Sequence, residues 1–267
     1  MPASAKTLRD LHHQPTVLRL PNAWDAGSAR LFESLGATAI ATTSAGVAWS
    51  QGYADGRVFP VEVAVSVAAS IARLIKVPLS VDIENGYSDD PKTVAENVKR
   101  VLEVGAVGIN LEDGPDAPQL LARKIEAIRN MASSSGLDVF INARTDVYLA
   151  SLVAEDLRVE ETLTRGRLYQ QAGADGLFVA ALVDVEQIKT IVQAIDLPIN
   201  LLARPGLPVA AELARLGVRR LSAGSSVAQT LWGHAEQLAR GFLEEGRSEP
   251  VTQSQLTYPQ IQALFGR

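Results

Sequence analysis

Along most of the chain, short β-branched or apolar runs alternate with longer stretches whose apolar residues recur at helical spacing. The short runs are Val17–Leu20, Ala39–Thr43, Leu79–Ile83, Gly108–Leu111, Val139–Ala143, Gly176–Ala180, Ile199–Ala203 and Arg220–Ala223, and each ends in polar residues. Ser88-Asp89-Asp90-Pro91 supplies helix-starting residues before a helix expected over Thr93–Val104, and Gly105 stops it. Asp184 plays the capping part before Val185–Ile195, and Pro208 opens Val209–Leu216 with Gly217 behind it. "SLGATAI", "EVGAVGI", "QAGADGL" and "RLGVRRL" each place a glycine where the chain reverses out of a helix into the next strand. Repeated helix–Gly–strand punctuation predicts βα units and a parallel sheet. Eight units favour a closed (β/α)8 TIM-type barrel over an open doubly wound sheet. The absence of G-x-G-x-x-G after the first strand weighs the same way.

Two connections are long, residues 44–60 after the second strand and 146–158 after the fifth. In a barrel both lie at the C-terminal face, where catalytic groups gather. Additional C-terminal helices are expected over Ser225–Gly246 and Gln253–Phe265. This makes one barrel domain of residues 1–267 with a helical extension over 225–267. The apolar Leu231, Trp232, Leu238 and Phe242 of that extension suit packing on a neighbouring subunit, hence a homo-oligomer.

Bulk properties narrow the partners. At 267 residues, 47 % apolar and 21 % charged, the chain can bury a large core. A net charge of -5, with no basic run longer than Arg219-Arg220, leaves no patch for nucleic acid or an anionic membrane. Having no cysteine removes disulfides, thiolate zinc sites and cysteine catalysis. No signal-peptide pattern opens the chain, and no apolar stretch nears the roughly 20 residues of a membrane helix. A soluble cytoplasmic protein is expected.

Charge at strand ends is where chemistry shows, because core strands have no packing reason to carry it. The third strand ends Asp82-Ile83-Glu84, with Asp82 and Glu84 expected on one side at a period of two. The fourth ends Asn110-Leu111-Glu112, and the fifth Asn142-Ala143-Arg144. Carboxylates so close repel unless neutralised. An all-oxygen set suits a hard cation, Mg2+ or Mn2+, better than Zn2+. The alternative is structural: Glu84 or Glu112 caps a helix or pairs with Arg144. Asn200 and Arg204 on the seventh strand are further pocket candidates. Ser222–Ser226 is either a phosphate cradle at a helix start or a plain glycine turn. Asp146 and Tyr148 either line the site or shape their loop, and His12, His13 and His234 read as surface or packing residues.

The motifs "LPNAWDAGSARLFESLGATAIATTSAGVAWSQGYADG", "VDIENGY", "GINLEDG" and "NARTD" resemble the isocitrate lyase/phosphoenolpyruvate mutase superfamily in order and spacing, over roughly half the chain. The resemblance implies Asp82 as direct metal ligand, with Glu84 and Glu112 holding metal-bound waters. It implies a turn at Ser44, Ala45 and Gly46 gripping a substrate carboxylate, Asp55 near the reacting centre, and Arg144 on the substrate's oxygens. Trp24 and Asp25 belong to the same signature but read as structural support for the first strand's rim. Dimers or tetramers exchanging a terminal helix are implied too.

One departure stands out. The cysteine-bearing gating loop that follows the fourth strand in the superfamily's lyases is missing, since Glu112-Asp113-Gly114 runs straight into Pro115-Asp116-Ala117-Pro118. The expected function is a Mg2+-dependent enzyme cleaving a C–C bond in a small 2-oxo or 2-hydroxy di- or tricarboxylate through an enolate. The alternatives are P–C chemistry on a phosphonopyruvate-like compound, by a mutase or hydrolase, and a 2-oxo-acid-binding protein with little catalysis.

Overall fold

The computed structural model describes residues 3–56, 58–253 and 256–266. Its strands are β1 (Leu18–Leu20), β2 (Ile40–Ala41), β3 (Leu79–Asp82), β4 (Gly108–Glu112), β5 (Phe140–Thr145), β6 (Gly176–Val179), β7 (Ile199–Leu202) and β8 (Arg220–Ser222). They form one parallel sheet in the order β1-β8-β7-β6-β5-β4-β3-β2. Just beyond β1, the N–H of Ala23 donates to Ala41 O (2.7 Å) and Ala23 O accepts from the N–H of Thr43 (3.0 Å). That bridge joins the two sheet edges, so the sheet closes into a (β/α)8 barrel with no exposed edge.

The outer helices are α2 (Ala26–Ser34), α4 (Val61–Ala72), α5 (Pro91–Glu103), α6 (Pro118–Ser135), α7 (Arg158–Ala172), α8 (Val185–Ala194), α9 (Ala210–Leu216) and α10 (Ser226–Glu245). The eight expected strands all appear. The α5 boundary shifts, the helix starting at Pro91, inside the Asp90 cap, and α6 ends at Ser135, where Gly136 takes a left-handed conformation (φ 64°). Asp25 caps α2 reciprocally with Ser28, which gives this motif residue the structural role expected of it. A cap of this kind contributes about 1 kcal/mol.

The strands are short and buried on both faces, so they read as near-continuous apolar runs. The larger core layer lies between sheet and helices, with Ile109, Leu111, Ile141, Leu177 and Leu201 facing residues such as Val98, Ile125 and Ile188. A smaller cluster (Leu8, Leu18, Leu20, Ala39, Ala41, Phe140) fills the barrel's lower interior. Helix α1 (Ala5–His12) plugs that end: His12 stacks on Phe140 at 4.1 Å, and a side chain on Gly108 would strike Leu8 at 2.6 Å. Burial and the nearby Arg220 charge lower the His12 pKa to about 3, so it packs as a neutral ring. Above this layer the interior turns polar, with Ser80, Asn110, Asn142, Asn200, Arg220 and Ser222 all buried.

Beyond β8, α10 carries exposed Leu231, Trp232, Phe242 and Leu243. The chain continues through α11 (Glu249–Thr252) to α12 (Tyr258–Phe265), where Leu264 O accepts from Arg30 Nε of α2 at 2.8 Å. Ser254 and Gln255 of the expected helical stretch Gln253–Phe265 lie outside the described residues. Among the described residues no helix is long and apolar enough to cross a membrane.

Candidate active site

Because the strands are parallel, all eight deliver their C-terminal ends to one mouth, where a cavity of about 230 Å³ opens. Ser44, Ala45, Asp55, Asp82 and Arg144 line it, together with Asn22, Thr43, Asn110, Leu149, Phe178, Leu202, Ser222, Gly224 and Ser225. Five of the nine residues expected in the site therefore meet around one space.

Asp82 ends β3 and is aimed by its neighbours. Its backbone N–H donates to Thr42 Oγ1 (2.8 Å), and its carboxylate accepts from the N–H groups of Ser44 (3.2 Å) and Glu84 (3.4 Å). Glu84 departs from the period-two expectation. The strand has ended by then, and Glu84 takes a left-handed conformation (φ 51°) that strands do not contain. Its side chain is buried instead of following Asp82 into the cavity. The turn beneath it is braced by buried Lys124 of α6, whose Nζ donates to Asn85 O at 2.9 Å. Gly86 (φ 89°) lets that turn lie against Val94, where a Cβ would come within 2.5 Å.

Glu112 and Arg144 are adjacent in register at the ends of β4 and β5. Arg144 Nη1 sits 2.8 Å from Glu112 Oε2, and its Nε and Nη2 donate to Asp146 at 2.7 and 3.0 Å. Burial together with the charges of Asp82, Asp146 and Glu84 pushes the Glu112 carboxyl up to about 8, although Arg144 opposes the shift. Asp55 lies on the exposed loop with its carboxyl turned to the cavity. Burial of that carboxyl and the charge of Asp82 raise its pKa against a hydrogen bond from Ser44. The phenol of Tyr87 is driven well above its ordinary range by burial, then by Glu84, Asp82, Asp55 and Glu112.

Residues 44–46 form not a free turn but the first turn of α3 (Ser44–Ser50), with Thr43 as its cap. The sequence reading missed this seven-residue helix because its composition, Ser-Ala-Gly-Val-Ala-Trp-Ser, carries little amphipathic signal. The Ser44 amide is committed to Asp82, and the buried Gly46 amide faces Thr43 Oγ1 at 3.5 Å. Gly46 lies outside the cavity wall and is required by packing, since a Cβ there would meet Trp24 Cβ at 2.9 Å. Asn200 is fully buried below the cavity, accepting from Ser222 Oγ at 3.2 Å.

A hard cation suits this donor set: carboxylate oxygens, no thiolate, and an acid held protonated to unusually high pH by burial and then by its neighbours' charge. Among the described residues no three carboxylate or imidazole groups converge into a ready-made cage. The arrangement fits one direct carboxylate with the others acting through water.

The family model for phosphoenolpyruvate phosphomutase matches residues 8–243. The chain belongs to the phosphoenolpyruvate mutase family. It is a lyase-like enzyme of the isocitrate lyase/phosphoenolpyruvate mutase superfamily, whose members are metal-dependent. An uncharacterised protein of Mycobacterium tuberculosis strain H37Rv is 40 % identical over 223 residues, 82 % of each chain. An oxaloacetate decarboxylase of Pseudomonas entomophila strain L48 is 28 % identical over 73 % of this chain and 70 % of its own. Among solved structures, a candidate phosphonomutase from Burkholderia cenocepacia J2315 superposes with a TM-score of 0.84 at 37 % identity, covering 89 % of this chain and 99 % of that one.

Two features of this family member were not foreseen. Asn22 takes a left-handed conformation (φ 57°) and ties the rim together, donating to Thr42 O at 2.8 Å and accepting from the Gly224 N–H at 3.0 Å. Asp113, next to Glu112, is buried and accepts from Arg165 Nη1 (2.8 Å), Tyr169 Oη (2.6 Å) and the Asp146 N–H (2.9 Å). It thereby fixes the backbone of the aspartate that holds Arg144. An acid directly behind a strand end, with Arg and Tyr four apart on the α7 stretch, was the available signal. The β4–α6 link is residues 113–117 alone, with no room for a gating loop.

Proposed function

We propose that the protein is a Mg2+-dependent enzyme (Mn2+ as substitute) that cleaves a C–C bond in a small 2-oxo or 2-hydroxy di- or tricarboxylate through an enolate. The observation that carries this reading is the meeting of Asp82, Asp55 and Arg144 around one cavity at the barrel mouth. Asp82 would hold the cation directly, with Glu84 and Glu112 acting through water. The cation, when bound, supplies Lewis-acid stabilisation of charge on the 2-oxo and carboxylate oxygens.

The chain's own groups supply the rest. Arg144 is buried and kept protonated by Glu112 and Asp146 in spite of its desolvation. Its remaining N–H donors at the cavity end address the substrate's oxygens, preorganised so that no reorientation is needed as charge develops. Ser44 and Ala45 flank the same space. Asp55 keeps its proton to higher pH than an ordinary aspartate, which suits delivery of that proton to the enolate carbon. Asn200, one layer lower, supports the floor through Ser222.

Asp82→Ala tests the reading. Turnover of a panel of 2-oxo and 2-hydroxy dicarboxylates with Mg2+ is expected to fall by at least about 10³-fold. Activity that survives the substitution in chelator-treated buffer overturns the assignment.

A second reading, P–C chemistry on a phosphonopyruvate-like compound, is favoured by the family model's own activity and by Gly224 and Ser225 in the cavity wall beside the start of α10. Release of inorganic phosphate separates it from C–C cleavage. Oxalate binding with no turnover across either panel would leave a 2-oxo-acid-binding protein. We further place the enzyme in the cytoplasm as a homo-dimer or homo-tetramer, with the apolar face of α10 against a neighbour. Light scattering that returns a monomer removes that assembly.

A further inference from the structure

Arg220 is among the largest fully buried side chains of the described residues, inside the barrel one layer beneath the cavity floor. Among the described residues it forms no ion pair, and its Nη1 has no hydrogen-bond partner. Burial lowers its pKa to about 10. Folding gains little from such a group, because desolvating a guanidinium costs several kcal/mol, no carboxylate pairs with it, and the charge of Asp82 offsets only part of the burial. Residues that violate the rules of stability in this way tend to serve a site.

The hydrogen bonds show what it does. Arg220 can only donate. Its Nε donates to Ser222 Oγ at 3.0 Å, so the Ser222 hydroxyl must send its own proton elsewhere, and Asn200 Oδ1 lies 3.2 Å away. Its Nη2 faces Asn110 Oδ1 at 3.4 Å, and Asn142 Nδ2 donates to that same oxygen at 2.8 Å. With two donors on one atom, the carboxamide of Asn110 cannot flip. Its oxygen is held among Arg220 and Asn142, which leaves its NH2 group for the cavity that Asn110 lines.

We propose that Arg220 is a positioning residue. Through Asn110 Oδ1 and Ser222 Oγ it sets the polarity of the cavity floor, so that the Asn110 amide donates to a carboxylate oxygen of the bound 2-oxo acid. Asn110 is then a binding residue of the site. The carboxylate part of this inference rests on the proposed function, whereas the orientation of Asn110 does not.

The test compares Arg220→Met, Arg220→Lys, Asn110→Leu and Arg220→Met/Asn110→Leu with the wild type in three measurements. Calorimetric binding of oxalate with Mg2+ should weaken by at least about tenfold in Arg220→Met, the size of one lost hydrogen bond to a charged group. Asn110→Leu should lose a similar factor, and the double variant no more than the larger single loss. Arg220→Lys should recover part of it, because a single ammonium cannot reach both acceptors in the fork geometry. Thermal stability should hold or rise in Arg220→Met, where a purely structural arginine would lower it. The Asn110 NH2 resonances, identified by their loss in Asn110→Leu, should shift or broaden in Arg220→Met. Wild-type oxalate affinity in a folded Arg220→Met, or fully additive losses, overturns the proposal. If the wild type does not take up oxalate, the functional reading fails on its own, and unchanged Asn110 resonances in Arg220→Met overturn the positioning separately.

Discussion

The two ends of the barrel carry comparable charge and treat it in opposite ways. At the N-terminal end, Asp175 accepts from Arg9 Nε (2.9 Å), Arg129 Nη2 and the Ile141 N–H (2.7 Å), while Arg9 also grips Asp138 with both terminal nitrogens at 2.7 and 2.6 Å. Both of these carboxylates meet an arginine, and the Asp138 carboxyl is held below its usual range by the Arg9 hydrogen bonds. At the C-terminal mouth, Glu112 and Asp146 share Arg144, and among the described residues Asp55 and Asp82 form no ion pair. There the Glu112 and Asp55 carboxyls are displaced upward by burial and mutual repulsion. Neutralised charge at one end locks α1 and α6 onto the sheet. Unneutralised charge at the other is what the cation of the proposed function would offset.

The contrast predicts opposite responses to losing a carboxylate. Asp175→Ala leaves Arg129 without a carboxylate, Arg9 with Asp138 alone and the Ile141 amide unpaired, and should cost about 3 kcal/mol, the low end for breaking a largely buried ion pair. Urea denaturation should show this, with turnover per folded molecule unchanged. An unaltered midpoint would erase the distinction between the ends.

Glu112→Gln should do the reverse, weakening Mg2+ affinity about 10–100-fold while leaving the fold intact. Its pH dependence fixes the sign. The Glu112 pKa is raised on folding, from an ordinary 4.5 to about 8, so the folded state binds a proton the unfolded state has released. That contribution is fully present at low pH and is lost as pH rises from about 4.5 to 8. Metal-free wild type should therefore lose stability relative to Glu112→Gln over that interval, and parallel melting curves across it would contradict the buried, repelled carboxyl. The smallest effect should come from Asp138→Asn, whose partner Arg9 keeps Asp175. With the Asp138 side chain 58 % exposed, solvent screening limits the loss to under about 1 kcal/mol.

Much of the site was legible because parallel strands bring their C-terminal ends together whatever else the chain does. Asp82, Glu112 and Arg144 each follow an apolar run, so the barrel alone made them neighbours. Glu84 was misread on the strand period, because nothing local announces a left-handed residue two positions beyond Asp82. The packing reason for Gly46 was hidden, since the close approach of Trp24 comes from another βα unit. Asn110 and Arg220, 110 positions apart, looked like ordinary strand residues.

The sequence by itself determined the barrel, the direction in which its charges face, and the oxygen-only chemistry at the mouth. Periodicity, caps and the missing cysteines are local properties, carried within a few residues. Tertiary structure alone decided which polar groups share an atom: that Asp113 holds Asp146, that Asn22 ties Thr42 to Gly224, and that Arg220 sits beneath Asn110. Hydrogen-bond direction depends on distances of about 3 Å between strands far apart in the chain, which no spacing along one strand encodes.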